Sequence, residues 1–127
     1  MKKKKKSEKE KLVDKCFDLW GLIIRSKGYC EKCGKSGPLN AHHFISRVNK
    51  NLRFDLRNGV CTCVGCHMYG PESAHLGSAY FDEWFRNYRP EDYAYLMDPK
   101  WRISKTWYIE DYQEIYIKLK EVINDVQ

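Results

Sequence analysis

Between Lys9 and Lys27 the apolar residues fall at Leu12, Val13, Cys16, Phe17, Trp20, Ile23 and Ile24. Steps of three and four between them trace one face of a 3.6-residue helix. Cys16 lies within that face and reads as a core residue. Gly28 is expected to end the helix near Lys27. A second stripe, Tyr112, Ile115, Tyr116, Leu119, Val122 and Ile123, predicts a helix from about Trp107 to Val126. Residues 72–89 carry Leu76, Ala79, Tyr80, Trp84, Phe85 and Tyr88, with Pro71 and Ser73 as a helix start. "RPEDYAYLM" predicts a short helix with Pro90 in its first turn, and "DPKWRISK" a connection.

Residues 28–70 lack this periodicity. "YCEKCGKSG" reads as a turn-rich Cys knuckle, and "LNAHHFIS" as a short strand. "RVNKNLRFDLRNG" reads as a polar, basic loop. "VCTCVGC" is extended and runs into a second knuckle, and a helix start at His67 is interrupted by "MYGPES". Adjacent side chains on a strand point to opposite faces. Two of only four histidines, His42 and His43, therefore stand side by side yet face apart. The chain holds no internal repeat, Gly-rich phosphate loop or Ser/His/Asp arrangement.

A length of 127 residues fits one domain, small enough to gain from a metal staple. Nine Tyr, five Phe and four Trp argue against disorder. Met1 is followed by five lysines rather than an apolar leader, and the longest apolar run, "LWGLII", is too short to span a bilayer. The expectation is a cytoplasmic protein with no membrane partner. Six cysteines in that compartment favour metal over disulfides. Cys30/Cys33 and Cys63/Cys66 form two Cys-x-x-Cys pairs, next to Gly34 and Gly65, and fit one structural tetrathiolate zinc site. The alternative, free core thiols, runs against the paired spacing and the adjacent glycines. Cys61 is an alternative to Cys63, but Cys61–Cys66 spacing does not form a tight knuckle.

The net charge of +6 is unevenly spread. Residues 25–69 carry eight Lys/Arg against two acids, whereas residues 70–127 carry seven against eleven. The basic excess thus sits on the segment with the Cys and His motifs, which suits a polyanion. "KKKKKSEKEK" reads as a frayed, solvated helix start that can add non-specific phosphate contacts.

Taken together, "CEKC", "AHHF" and "RNGVCTCVGCH" resemble the HNH endonuclease family, the ββα-metal or His-Me finger nucleases. That pattern runs Cys-x-x-Cys, then Asp-His or His-His on a strand, then Asn, then Cys-x-x-Cys-His leading into a helix. The resemblance spans residues 28–75, and "NLRFDLRNGVCTCVGCH" is also similar to phage-encoded members associated with recombination and packaging. It implies an α+β fold with a small ββα-metal centre stapled by zinc and flanked by N- and C-terminal helices. The expected single domain, 1–127, divides into a basic tail and helix (1–27), a zinc/ββα core (28–75) and a helical extension (76–127).

The resemblance assigns His43 as the general base, His42 and His67 as ligands of a catalytic divalent metal, and Asn58 as the residue that orients the base. It implies metal-dependent cleavage of DNA to 5′-phosphate and 3′-hydroxyl ends. Phosphodiester hydrolysis builds negative charge that a divalent ion offsets, while neutral imidazole takes the proton of water. Asn58 also suits a turn, and His43 a buried, satisfied histidine. Many relatives carry Asp where this chain has His42, and imidazole favours Mn²⁺ or a later transition ion over Mg²⁺. His75 has three open roles: a third metal ligand, a phosphate contact or a helix cap. Arg47, Lys50, Arg53 and Arg57 are candidate phosphate contacts, or simply a solvated loop. The aromatic residues of 80–108 are expected in packing, with base stacking as the alternative. Expected partners are DNA and, for a phage protein, packaging or recombination proteins, with the chain a monomer or dimer. Two rivals keep the four cysteines without catalysis: a zinc-stapled DNA- or protein-binding module, and an accessory subunit of a phage DNA-processing machine.

Overall fold

A computed structural model describes residues 4–126 of the chain. Helix α1, Glu8–Arg25, begins where Ser7 Oγ accepts the Glu10 N–H at 3.1 Å and Ser7 in turn bonds the Glu10 carboxylate. This Ser-x-x-Glu capping box sets the start. Lys4–Lys6 precede it, exposed and non-helical, and the expected frayed start at Lys2 and Lys3 lies outside the described residues. The helix ends at Arg25: the Lys27 and Gly28 N–H groups close i→i−3 bonds on the Ile24 and Arg25 carbonyls, and Gly28 turns the chain away at a positive φ of 83°.

The chain is α+β. Strands β1, Leu39–His43, and β2, Gly59–Cys63, pair antiparallel with His43 opposite Gly59 and Leu39 opposite Cys63. β1 is shorter than the sequence predicts. Past His43 the side chain of Asn58 replaces the ladder, its Oδ1 accepting the Ile45 N–H at 2.6 Å and its Nδ2 donating to Ile45 O at 2.9 Å.

Alternation along the strands divides the interior in two. Leu39, Ala41 and Cys61 pack with Cys16, Trp20, Ile24, Tyr112 and Leu119. Val60 and Phe44 pack with Leu52, Phe81, Phe85 and Leu96. The first cluster is closed by α4, Ile109–Val126, lying on α1 as both stripes predict. The Cys16 thiol is buried there and donates to Tyr112 O at 3.7 Å; burial pushes its pKa up to about 11. The second cluster is closed by α2, Ser78–Tyr88, and α3, Pro90–Leu96.

Three expectations change. Helix α2 starts at Ser78, not near Pro71, because residues 70–77 fold back on the second knuckle. Its buried residues are Phe81 and Phe85, while Leu76 and Tyr80 are exposed. The segment 47–59 is not merely a polar loop: Leu52 and Phe54 are buried in opposite clusters. Gly59 allows this close approach, since a Cβ there would lie 2.1 Å from Ile24 Cδ1 and 3.0 Å from Trp20 Cζ2. Among the described residues, no helix is long and apolar enough to cross a membrane.

Candidate functional site

Cys30, Cys33, Cys63 and Cys66 converge, with their Sγ atoms all within 4.8 Å of one another. Zn–S bonds of about 2.3 Å give tetrahedral S–S edges of about 3.8 Å, and Cys33 Sγ lies 3.7 Å from Cys63 Sγ. Four thiols at this spacing are a donor set for a metal ion such as zinc. Burial pushes the Cys30 thiol up, but N–H groups of Cys63, Cys33 and Lys32 outweigh it and bring its pKa down to about 7. The Cys66 thiol is pushed up by burial and by the sulfurs of Cys63 and Cys33. A cation among them relieves this crowding of would-be thiolates. Cys61 points instead into the α1 cluster. Its backbone pairs with Glu31 of the first knuckle: Cys61 N–H donates to the Glu31 carboxylate and Glu31 N–H to Cys61 O, both at 2.8 Å.

His42 leaves β1 on the α2 side, against Phe81. After β2 the chain makes a π-helical turn, Gly65–Tyr69, that carries His67. Residues 70–77 then return on this turn, with Ala74 N–H donating to Cys66 O at 2.9 Å and His75 N–H to His67 O at 3.1 Å. Gly77 permits the return, because a Cβ would lie 2.1 Å from Pro71 O. The result is a second cluster: one ring nitrogen from each of His42, His67 and His75 lies within 4.8 Å of the others. His67 Nε2 and His75 Nε2 are 3.2 Å apart. Metal–nitrogen bonds of about 2.1 Å place adjacent ligands about 3.0–3.4 Å apart, so this separation fits a shared ion. The helix-cap role for His75 is removed, since the N-cap of α2 is Gly77 and no side chain caps it. Burial, then the neighbouring His67, His75 and His43, lowers the His42 pKa to about 3, and burial lowers His67 as well. Both are neutral at pH 7, the form that ligates metal.

His43 faces the other way. Its ring stacks on Trp20 at 3.9 Å between centroids and meets Phe17 edge-on. Its Nε2 is 2.9 Å from Arg53 O. A carbonyl only accepts, so Nε2 carries the proton and Nδ1 keeps the lone pair. Burial lowers the His43 pKa, partly opposed by the Arg53 carbonyl and aided by the charges of Arg47 and Arg53. Asn58 is fully buried and donates to Leu52 O at 3.2 Å besides its two bonds to Ile45. It thus clamps both chain segments that hold His43 in place. His42, His43, His67 and His75 line one cleft of about 710 Å³, with Arg47 and Asp82 at its wall.

The basic residues separate. Arg47 and Lys50 are exposed. The Arg53 guanidinium is enclosed by Phe17, Phe54 and Tyr112 and donates to the Tyr112 hydroxyl at 2.6 Å, so it serves packing before any phosphate. Arg57 lies over the Tyr95 ring at 3.9 Å. Sequence pattern marks Trp20 and Phe17 only as core, and nothing in it singles out Asp82, which accepts from the Tyr93 hydroxyl at 3.3 Å. No model of a known protein family, no curated protein and no solved structure matches the chain.

Proposed function

We propose that this protein is a metal-dependent DNA endonuclease of the HNH type, built on a zinc-stapled ββα-metal centre. One observation carries the reading. A histidine with a fixed tautomer, His43, shares a cleft with a cluster of three imidazoles. A satisfied core histidine would explain the first feature but not the second. A zinc-stapled binding module needs neither.

The four cysteines would hold the structural zinc, and His42, His67 and His75 the catalytic ion. A divalent ion there, when bound, supplies positive charge against the charge that builds on the phosphate and the leaving 3′ oxygen. His43 Nδ1 accepts the proton of the attacking water, and its neutral form dominates at pH 7. Arg53 O, bonded at Nε2–H, fixes the ring and favours the imidazolium that forms. Asn58 acts one step back by fixing the backbone at Leu52 and Ile45. Trp20 and Phe17 cover the ring and exclude water from one side. Arg47 at the cleft wall suits a phosphate contact. The products would be 5′-phosphate and 3′-hydroxyl ends, and one centre per chain fits nicking of one strand.

Three imidazoles favour Mn²⁺, Co²⁺ or Ni²⁺ over Mg²⁺, which prefers oxygen. The test is a supercoiled plasmid incubated with zinc-loaded protein and each ion in turn. The expected result is nicked circles that ligase reseals, formed faster with Mn²⁺ than with Mg²⁺. A highest rate with Mg²⁺ would overturn the ligand set, and no nicking with any ion would overturn the function.

A further inference from the structure

A second groove, of about 490 Å³, runs between residues 46–51 and residues 101–107. Lys50, Arg102 and Lys105 line it, and no acidic residue does. Trp101 and Trp107 also line it. Val48, which lines it, is 83% exposed, and Ile103, between the lining residues Arg102 and Ser104, is 72% exposed. Both sides are tied together. Asn49 Nδ2 and Asn51 Nδ2 each donate to Trp101 O at 3.0 Å, and Asn51 Nδ2 also to Ile103 O at 2.9 Å. The groove is therefore pre-formed rather than a gap between mobile loops.

Its charge runs against its neighbourhood. Residues 70–127 are net acidic, yet the stretch "PKWRISKTW" carries three bases and no acid. Ser46 lines both this groove and the histidine cleft, so the two adjoin there. Beyond Trp107 the lining is mixed, with Asp55, Asp111 and Glu114 against Lys50, Lys105 and Lys118, so the bases that face no acid lie on the Ser46 side. Lys105, Arg102 and Lys50 line the groove, and Arg47, next to the shared Ser46, lines the cleft.

We propose that this groove holds one unpaired DNA strand and delivers it to the histidine cleft; only that destination rests on the nuclease reading. A duplex hides its bases and offers phosphates alone. An unpaired strand offers phosphates to Lys50, Arg102 and Lys105, and base faces for apolar contact with the exposed Val48 and Ile103.

The test is fluorescence anisotropy of a labelled oligo-dT 15-mer and of a duplex of equal length. Zinc-loaded full-length protein is used, with no added divalent ion so that nothing is cut. The unpaired strand is expected to bind more tightly than the duplex. Arg102→Glu with Lys105→Glu, both at exposed positions, should weaken its binding by about tenfold or more and flatten the log K against log salt slope by about 1.4. Val48→Asp should weaken the single strand more than the duplex. Arg86→Glu with Lys120→Glu removes the same charge at exposed sites on α2 and α4 and should leave affinity within about twofold. Thermal melting checks that each variant folds. Equal loss in both charge pairs, wild-type binding by the groove pair, or preference for the duplex would each overturn the proposal. Groove-dependent binding by a protein that nicks nothing would sink the endonuclease reading and leave the groove standing.

Discussion

Replacing Asn58 by Ala separates positioning of the base from its chemistry. The Asn58 side chain is fully buried and makes three bonds to backbone: from Ile45 N–H at 2.6 Å, to Ile45 O at 2.9 Å and to Leu52 O at 3.2 Å. Alanine leaves a buried N–H and two carbonyls unmet. At about 1–1.5 kcal/mol for each lost bond, the cost is about 3–4.5 kcal/mol, a large share of a stability near 5–15 kcal/mol. The variant should still fold at low temperature, because the two hydrophobic clusters and the cysteines are untouched. Freed at Leu52, the Arg53 carbonyl no longer fixes His43 Nε2, and a shift of about 1 Å costs about a hundredfold in rate. Urea denaturation gives the first number, and plasmid nicking at 10 °C by zinc-loaded protein gives the second. A stability loss below about 1 kcal/mol would refute the clamp. Full activity in a destabilised variant would refute the link from Asn58 through Arg53 to His43.

Three further outcomes are expected. Gly59→Ala puts a Cβ 2.1 Å from Ile24 Cδ1 and should cost about 1–3 kcal/mol; adding Ile24→Val, which removes that atom, should recover part of the loss of melting temperature, whereas simple additivity would deny the contact. Cys66→Ser should abolish one tightly bound zinc per chain, measured by metal analysis, while Cys61→Ser retains it; the reverse would move the site to Cys61. His42 and His43 have folded pKa values below the usual 6.5, so the folded state binds fewer protons than the unfolded one and stability falls as pH drops through 6.5. His42 alone contributes about 1 kcal/mol between pH 7.5 and 5.5, and nicking should lose its base form only below pH 6.5; an activity limb well above that value would contradict a depressed His43.

Helices α1 and α4 are legible in the sequence because each buries one unbroken stripe against the other. The two Cys pairs and the His pair are legible because their spacing is local. α2 is misphased because Tyr80, Phe81, Trp84, Phe85 and Tyr88 put aromatic residues around most of the helix. Only the tertiary fit selects Phe81 and Phe85. The return of residues 70–77 depends on hydrogen bonds to Cys66 and His67 carbonyls, which no local pattern encodes. That return brings His75 beside His67, so the third imidazole is visible in the sequence but its place is not. Leu52, Phe54 and Arg53 look like members of a basic loop for the same reason. Their burial is decided by helices far away in the chain.

The central claim is that His43 Nδ1 takes the proton of the attacking water. The most direct measurement is the single-turnover rate of nicking of supercoiled plasmid with Mn²⁺. Wild type is compared with His43→Ala after both are shown to hold zinc and to melt cooperatively. The account predicts cleavage by wild type and a loss of about 10²–10⁴-fold in the variant, the usual range for removing a general base. Equal rates in the two proteins, or no cleavage by wild type, would contradict it.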